Sequence, residues 1–400
     1  MLLFSLSLRA SSWFSRRPCP PSLHSELRVP VSSLAGYIVS SDSVIPCATN
    51  CLVSSIAYSL PPSPDVSTNS FMPHPALSNP LPTISLVIPA YNRADLVAET
   101  IESALDQTWP FSEIIVVDDG STDNTPTVLA QYANRITVIR TTNCGVQAAR
   151  NTGIAATKTD LITLCDSDDL LEPTLSETLA AWLGAHPDID CCFCNFTTFD
   201  QHGTYSDKFS QAPAGYFDRA IEQDDDFLTG IPDLYRRMLE FQPLFQSGLT
   251  FRKAFFNAIG GYDLRFKGIG AEDWEFTLRA AACGNIALCS RSLARVRRHP
   301  GNDSANAMHM NIGEAEILEF GLQNHPNAAN YQMAILRTIN ERRIRVFDAA
   351  FGLGNFDLAK KTLTQITEAP SNIKFLLKCV ITRLPSGLRK ALWKLSQQSH

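Results

Sequence analysis

From Pro82 onward, apolar and polar positions change period in a regular order. Thr83 to Ile88 is a β-branched apolar run that predicts a strand. Ala94 to Gln107 places Leu96, Val97, Ile101, Ala104 and Leu105 on one helical face, and Glu113 to Val117 is apolar again. The pattern continues with a helix opened near Pro126, a strand over Ile136 to Arg140 and a helix over Gly145 to Ala156. A strand then ends at Asp166, Pro173 to Ala185 reads as a helix, and Ile189 to Phe199 as a strand. Between about 200 and 270 the pattern is irregular. Ala271 to Cys283 then predicts a helix that begins with Glu272 and Asp273 and stops at Gly284. After about 311 the chain reads as helical, for example over Ile335 to Leu353 and Phe356 to Ile366.

Strands and helices alternating with such short connections imply an α/β fold with a mainly parallel sheet covered on both faces. Ligands of such sheets bind beyond the strand carboxyl ends. Three polar clusters fall there: Tyr91-Asn92, Asp118-Asp119-Gly120-Ser121 and Asp166-Ser167-Asp168-Asp169. The last is the most informative. Carboxylates are hard ligands suited to Mg or Mn, and two of them fit a metal shared with substrate phosphates. The competing expectation is a polar turn in which Ser167 to Asp169 cap the helix that follows Glu172-Pro173.

Composition narrows the classes. Four hundred residues, 44% hydrophobic and 18% charged, can build a sizeable core. A net charge of −6 gives no nucleic-acid footprint, and no run of 18 apolar residues suggests a membrane span. Eleven irregularly spaced cysteines point to a reducing compartment, hence a cytoplasmic location. Cys191-Cys192-Phe193-Cys194 is read as a buried strand rather than a zinc site. Residues 1–80 hold 11 of the 24 prolines and one glycine, and are expected to be a poorly ordered Ser/Pro-rich leader. A transit peptide or a misassigned start would look similar.

The motifs together carry a resemblance. Ser85-Leu86-Val87-Ile88-Pro89-Ala90-Tyr91-Asn92, Gln107-Thr108 and Glu113 through Asp123 resemble the opening of the glycosyltransferase family 2 catalytic domain. Gly145 to Ala155 and Asp166 to Asp169 extend the match, with Gly260-Gly261-Tyr262-Asp263 and Glu272-Asp273 matching more loosely. The resemblance implies a GT-A (nucleotide-diphospho-sugar transferase) catalytic domain over 82–310, followed by a helical region over 311–400. It also implies an inverting enzyme using a nucleotide-diphosphate sugar, a UDP-sugar by preference, with Mn2+ or Mg2+. The acceptor would be the hydroxyl of a glycan or lipid-linked acceptor, in polysaccharide, lipopolysaccharide or glycolipid synthesis.

By position in the family, Pro89 and Tyr91 resemble residues lining the base, and Asp119 the acceptor for a uracil imide N–H. Asp168 resembles the metal ligand, and Asp166 a ribose contact or second ligand. Arg150 and Asn151 would help hold the nucleotide, with a solvated helix face as the alternative. Asp273 resembles the catalytic base, although acidic charge at a helix start is favourable by itself. Arg297 to Ser304 resembles a basic segment whose His299 could reach the diphosphate or metal, or simply be a hydrogen-bonded loop residue. The Gln-x-x-Arg-Trp motif of processive members is missing, which favours single-sugar transfer.

Two alternatives remain open at this level. A non-catalytic sugar-nucleotide-binding protein could use the same pocket, whereas a dehydrogenase is disfavoured because no Gly-x-Gly-x-x-Gly follows the first strand. No acid follows Glu368, while Lys374, Lys378, Arg383, Arg389, Lys390 and Lys394 interleave with apolar residues. This basic tail is expected either to touch the inner face of a membrane peripherally or to form a helical cap with a solvated face.

Overall fold

The β-branched runs form one sheet whose two faces are both buried, and the strand order decides where loops meet. The computed structural model describes residues 81–224, 226–299, 301 and 306–397, which fall in one compact unit. The expected leader, 1–80, lies outside the described residues.

The strands are β1 (Ile84–Ala90), β2 (Glu113–Asp118), β3 (Thr137–Arg140), β4 (Leu161–Leu164), β5 (Leu170–Leu171) and β6 (Cys191–Asp200). They continue with β7 (Gly203–Thr204), β8 (Ile221–Gln223), β9 (Phe227–Thr229), β10 (Thr250–Arg252) and β11 (Ile286–Arg297). The helices of the sheet region are α1 (Val97–Leu105), α2 (Thr125–Ala130), α3 (Val146–Ala156), α4 (Leu175–Ala185), α5 (Leu234–Glu240), α6 (Lys253–Ile259) and α7 (Glu272–Cys283). Then come α8 (Ala307–Asn324), α9 (Gln332–Gly352), α10 (Phe356–Gln365), α11 (Ile373–Arg383) and α12 (Ser386–Gln397).

Sheet order is β3-β2-β1-β4-β10-β6-β11-β9-β8. The pairs among β1 to β4 are parallel, as is β6 with β11, while β10 runs antiparallel between β4 and β6. The mainly parallel α/β sheet with following helices is thus the one expected. Six strands are not: β5, β7, β8 and β9, each of two or three residues, and β10 and β11, which enter the centre of the sheet. β10 comes from the stretch read as irregular, and β11, a long central partner of β6, had no counterpart in the pattern. Its ladder shifts register between Cys289 and Ser292 and again before Ala294, which breaks the period-2 signal.

Alternation along β1 distributes its side chains between two cores. Leu86 and Ile88 pack with Val97 and Ile101 of α1 and Leu179 of α4, whereas Val87 packs with Ala149 and Ile154 of α3 and Phe276 of α7. β6 divides likewise: Cys191 and Phe193 on one side, Cys192 and Cys194 on the other, every one of these cysteines free and buried. α3 approaches the sheet closely because Gly153 has no side chain. A Cβ there would lie 2.4 Å from Val87 Cγ1 and 3.1 Å from Val117 Cγ2.

This contact decides the sign of a substitution. Alanine gains about 1 kcal/mol of helix propensity over glycine, but overpacking a fixed interior costs about 1–3 kcal/mol. Gly153→Ala is expected to lower the unfolding free energy by about 1 kcal/mol, read from urea denaturation; an unchanged or raised midpoint would show that α3 can lift off β1.

Candidate active site

The loops that leave β1, β2 and β4 border one cleft of about 480 Å³, closed on its other side by the start of α7. Pro89, Tyr91, Asp119, Arg150, Asp166, Asp168 and Asp273 all line it. A cavity of about 460 Å³ elsewhere, walled by Asp188, Tyr235 and Tyr331, contains none of the predicted residues.

The β1 and β2 loops are stitched together by Asn92, which sits in the left-handed region at φ 51°. Its side-chain oxygen accepts the Thr122 N–H at 2.8 Å, and its own N–H donates to Ser121 Oγ at 2.9 Å. Tyr91, held at the rim by this turn, is 43% exposed, so one ring face is free to stack on a planar ligand. Asp119 is buried at the carboxyl end of β2. It accepts from Thr141 Oγ1 at 3.1 Å and the Cys144 N–H at 2.9 Å on Oδ1, and from the Gly145 N–H at 2.8 Å on Oδ2. Three of roughly four acceptor sites on the carboxylate are thereby used. This anchors the loop into α3 and leaves capacity for about one further donor.

Asp166, Asp168 and Asp169 have different environments. Asp166 Oδ1 pairs with Arg150 at 2.6 Å. Asp168 Oδ2 meets both Arg93 Nε and His299 Nε2 at 3.1 Å. Asp169 is buried and is no helix cap: α4 begins at Leu175, with Thr174 before it and no side-chain cap. Instead its carboxylate accepts the Ser247 hydroxyl at 2.6 Å and the Arg297 N–H at 2.9 Å. Ser247 Oγ in turn accepts the Asp166 N–H at 3.0 Å. Burial, followed by the neighbouring Asp168 and Asp166 charges, pushes the Asp169 carboxyl well above the ordinary range.

Arg150 is buried and faces the cleft, not solvent. Burial opposes its charge, but Asp166, with Tyr262 and Asp273 behind it, more than offsets that and keeps the guanidinium protonated. Its Nε, and Oε1 of the cleft residue Gln147, are buried with no partner. Asn151, one residue along α3, is not brought to the cleft. Its amide nitrogen donates to Tyr262 O at 2.8 Å and its oxygen accepts the Tyr262 N–H at 3.0 Å, so it straps a turn instead of touching a ligand. Successive helical residues diverge by about 100°, so both cannot face the same side.

At the start of α7, Asp273 has its carboxyl raised to about 6. Burial is the main cause, Arg150 pulls the other way, and Glu272 and Asp166 add to the rise. The sequence reading passed over Arg93, Ser247 and Lys267. Arg93 adjoins the Tyr91-Asn92 cluster, and that adjacency was the signal available; Ser247 and Lys267 come from the irregular stretch and left none.

Residues 85–240 match the profile of the family described as Glycosyl transferase family 2. They are a family 2 glycosyltransferase domain. Among relatives, Glycosyltransferase GlyG of Streptococcus pneumoniae is 38% identical over 122 residues, 30% of this chain and 40% of that protein. The chondroitin synthase of Escherichia coli is 35% identical over 126 residues, 31% of this chain and 18% of that protein. The chain thus spans well under two thirds of either relative. The solved structure of S. aureus TarS in complex with UDP-GlcNAc superposes with a TM-score of 0.52 at 19% identity, covering 77% of this chain and 85% of that one. The shared fold is GT-A-like, and the family 2 domain places the strand-end cleft at its carboxyl edge.

Because Asp169 satisfies the buried Ser247 hydroxyl and the partly buried Arg297 N–H, its removal leaves both without this partner, at up to about 1–3 kcal/mol each. Asp169→Ala is expected to reduce stability by about 2–4 kcal/mol, and Asp169→Asn, which keeps one acceptor oxygen, by less. Equal urea midpoints for the two variants would mean that the carboxylate contacts carry little of the loop's stability.

Proposed function

We propose that this protein is an inverting, metal-dependent glycosyltransferase. It moves a single sugar from a nucleotide-diphosphate sugar, a UDP-sugar by preference, to a hydroxyl acceptor in polysaccharide, lipopolysaccharide or glycolipid synthesis. The observation that carries the reading is the convergence of Asp119, Arg150, Asp168 and Asp273 in one cleft of a family 2 domain. The names of the relatives, a chondroitin synthase among them, and the UDP-GlcNAc bound to TarS agree with it.

In this reading the base lies beside Pro89 and the exposed ring of Tyr91, and its imide N–H donates to the remaining acceptor capacity of Asp119. The unpartnered Arg150 Nε and Gln147 Oε1 provide a donor and an acceptor for the rest of the donor substrate.

A divalent cation fits the cleft on charge. Six carboxyl residues line it, Asp119, Asp166, Asp168, Asp169, Glu272 and Asp273, against the cations Arg93, Arg150 and Lys267. Such a cleft would repel a diphosphate without an added positive charge. Among the described residues no three His, Cys, Asp or Glu side chains form a ready cage, which suits Mn or Mg sharing substrate phosphates. Asp168 and His299 would hold it. Asp166 is engaged by Arg150 and is better read as orienting that guanidinium. When bound, the ion would neutralise charge developing on the departing diphosphate.

Asp273 accepts the proton of the acceptor hydroxyl as the new bond forms. A carboxyl raised to about 6 is still mostly ionised at neutral pH and is a stronger base than an exposed aspartate. Glu272 precedes it on the same turn and supports its basicity through like charge. A binding protein would have no use for such a group, and this disfavours the non-catalytic alternative.

Donor turnover, followed as release of nucleoside diphosphate across a panel of nucleotide sugars, is expected to require Mn or Mg and to vanish in Asp168→Ala. Undiminished transfer by that variant without metal would sink the mechanism. Since the base acts only when deprotonated, kcat/KM should rise with pH through about 6 and level off above it. Asp273→Asn should retain donor binding and lose about 10²–10⁴-fold in kcat; near-wild-type turnover would assign the base elsewhere.

A further inference from the structure

We propose that α11 and α12 form a docking surface for an anionic lipid bilayer. α11 is already seated on the protein by one face: Phe375 packs on Phe347 with ring centroids 5.1 Å apart, and Cys379 is buried beside it. Its other face is apolar as well. Ile373, Leu376, Leu377 and Val380 follow i, i+3, i+4, i+7 spacing and are each 48–68% exposed. α12 repeats the arrangement. Trp393 fixes it, donating to Phe351 O at 2.7 Å and meeting Phe356 edge-on, while Leu388, Leu392 and Leu395 remain exposed with the same spacing.

This is a patch and not scattered exposure. Eight of the fifteen exposed large apolar side chains among the described residues lie between Leu353 and Leu395. Exposed apolar stripes on two adjoining helices mark an interaction site. Its charge selects the occupant. Residues 369–400 contain six basic side chains and no acidic one, in a chain whose net charge is −6. At helical spacing, Lys374 and Arg383 flank the α11 stripe and Lys394 the α12 stripe, all three exposed.

Paired with a second copy across a twofold axis, the same face would bring two cationic surfaces together. A nucleic acid would neutralise the charge but leave the leucines in water. Acyl chains beneath anionic headgroups satisfy both features, with the helices lying in the interface plane. No described helix is long and apolar enough to cross a membrane. The inference is independent of the catalytic reading.

The test is co-sedimentation of the full chain with vesicles of phosphatidylcholine containing phosphatidylglycerol, against phosphatidylcholine alone. Binding to the anionic vesicles at low salt is expected, falling by more than tenfold at about 0.5 M salt, where the screening length is a few ångströms. Each of Lys374→Gln, Lys390→Gln and Lys394→Gln should weaken partitioning about fivefold, and Leu376→Gln with Leu392→Gln should abolish it. These sites are exposed, so unchanged circular dichroism and an unchanged urea midpoint are expected to accompany the loss. A Leu392→Trp fluorophore should shift to the blue on the anionic vesicles only. Equal binding to both vesicle types would overturn the proposal. So would failure to sediment at low salt, whether light scattering then reports a doubled mass or a monomer.

Discussion

The buried carboxylate of Asp169 is the contact on which the cleft depends. Three chain segments distant in sequence meet there: the loop after β4, the approach to β10 through Ser247, and the end of β11 through the Arg297 N–H. Ser247 passes the restraint to the Asp166 N–H, so both ends of the acidic loop are fixed by one hydroxyl and one carboxylate. Without that knot, Asp168 would be a solvated loop residue free to turn away. With it, Asp168 points at Arg93 and His299, and the Arg297 side chain closes the ring by donating to Asp168 O at 2.9 Å. A buried polar group of this kind is unfavourable without partners, and it is tolerated here because the Ser247 hydroxyl and the Arg297 N–H satisfy one oxygen each.

The cleft built on this knot is electrostatically unbalanced. Arg150 is shared between Asp166, which it touches, and Asp273, whose ionisation it supports from further away. Anything that drew Asp166 off Arg150 would free positive charge for Asp273, and the reverse also holds. In the proposed reaction an arriving diphosphate would compete for the same guanidinium. Substrate binding and the basicity of Asp273 would then be coupled through one side chain, and strongly so because Arg150 is buried, where charges are poorly screened.

Most of the sheet was legible in the sequence because its signals are local. β1, β2 and β4 are short apolar runs ended by polar clusters, and α1 and α3 keep helical spacing, so period and punctuation place them within a few residues. β11 was lost because its bulges interrupt the alternation, and β10 because three residues show no period. Among site residues, Asp119, Arg150, Asp168 and Asp273 could be named from motif and position. Asn151 could not be separated from Arg150 by sequence, since only the rotation of α3 against the sheet sends one to the cleft and the other to Tyr262. The role of Asp169 depends on Ser247 and Arg297, 78 and 128 residues away, and no local pattern encodes contacts at that separation.

Asn151 nonetheless explains how Arg150 and Asp273 keep their relative position. α3 presents Arg150 to the cleft and, through Asn151, grips the backbone of Tyr262. The preceding residues of that turn are held from the opposite side by α7: Arg279 donates to Ile259 O and, at 2.7 Å, to Gly261 O. Arg279 is itself fixed by two bonds of 2.7 Å to Glu275, and Glu275 Oε1 also lies 3.1 Å from His325 Nε2 at the end of α8. Burial works against the Glu275 charge, yet Arg279 and His325 hold its carboxyl below the ordinary value. The 259–262 turn thus acts as a spacer between α3, which brings Arg150 to the cleft, and α7, which brings Glu272 and Asp273. A displacement of α7 would have to break the Arg279 bonds to the Ile259 and Gly261 carbonyls and the Glu275–His325 contact before it could move Asp273 away from Arg150, and hydrogen bonds to charged groups contribute about 1.5–3 kcal/mol each. The helix that carries Asp273 is held not by its own amino end, where Ala271 lacks a capping side chain, but by charges one turn further into the protein.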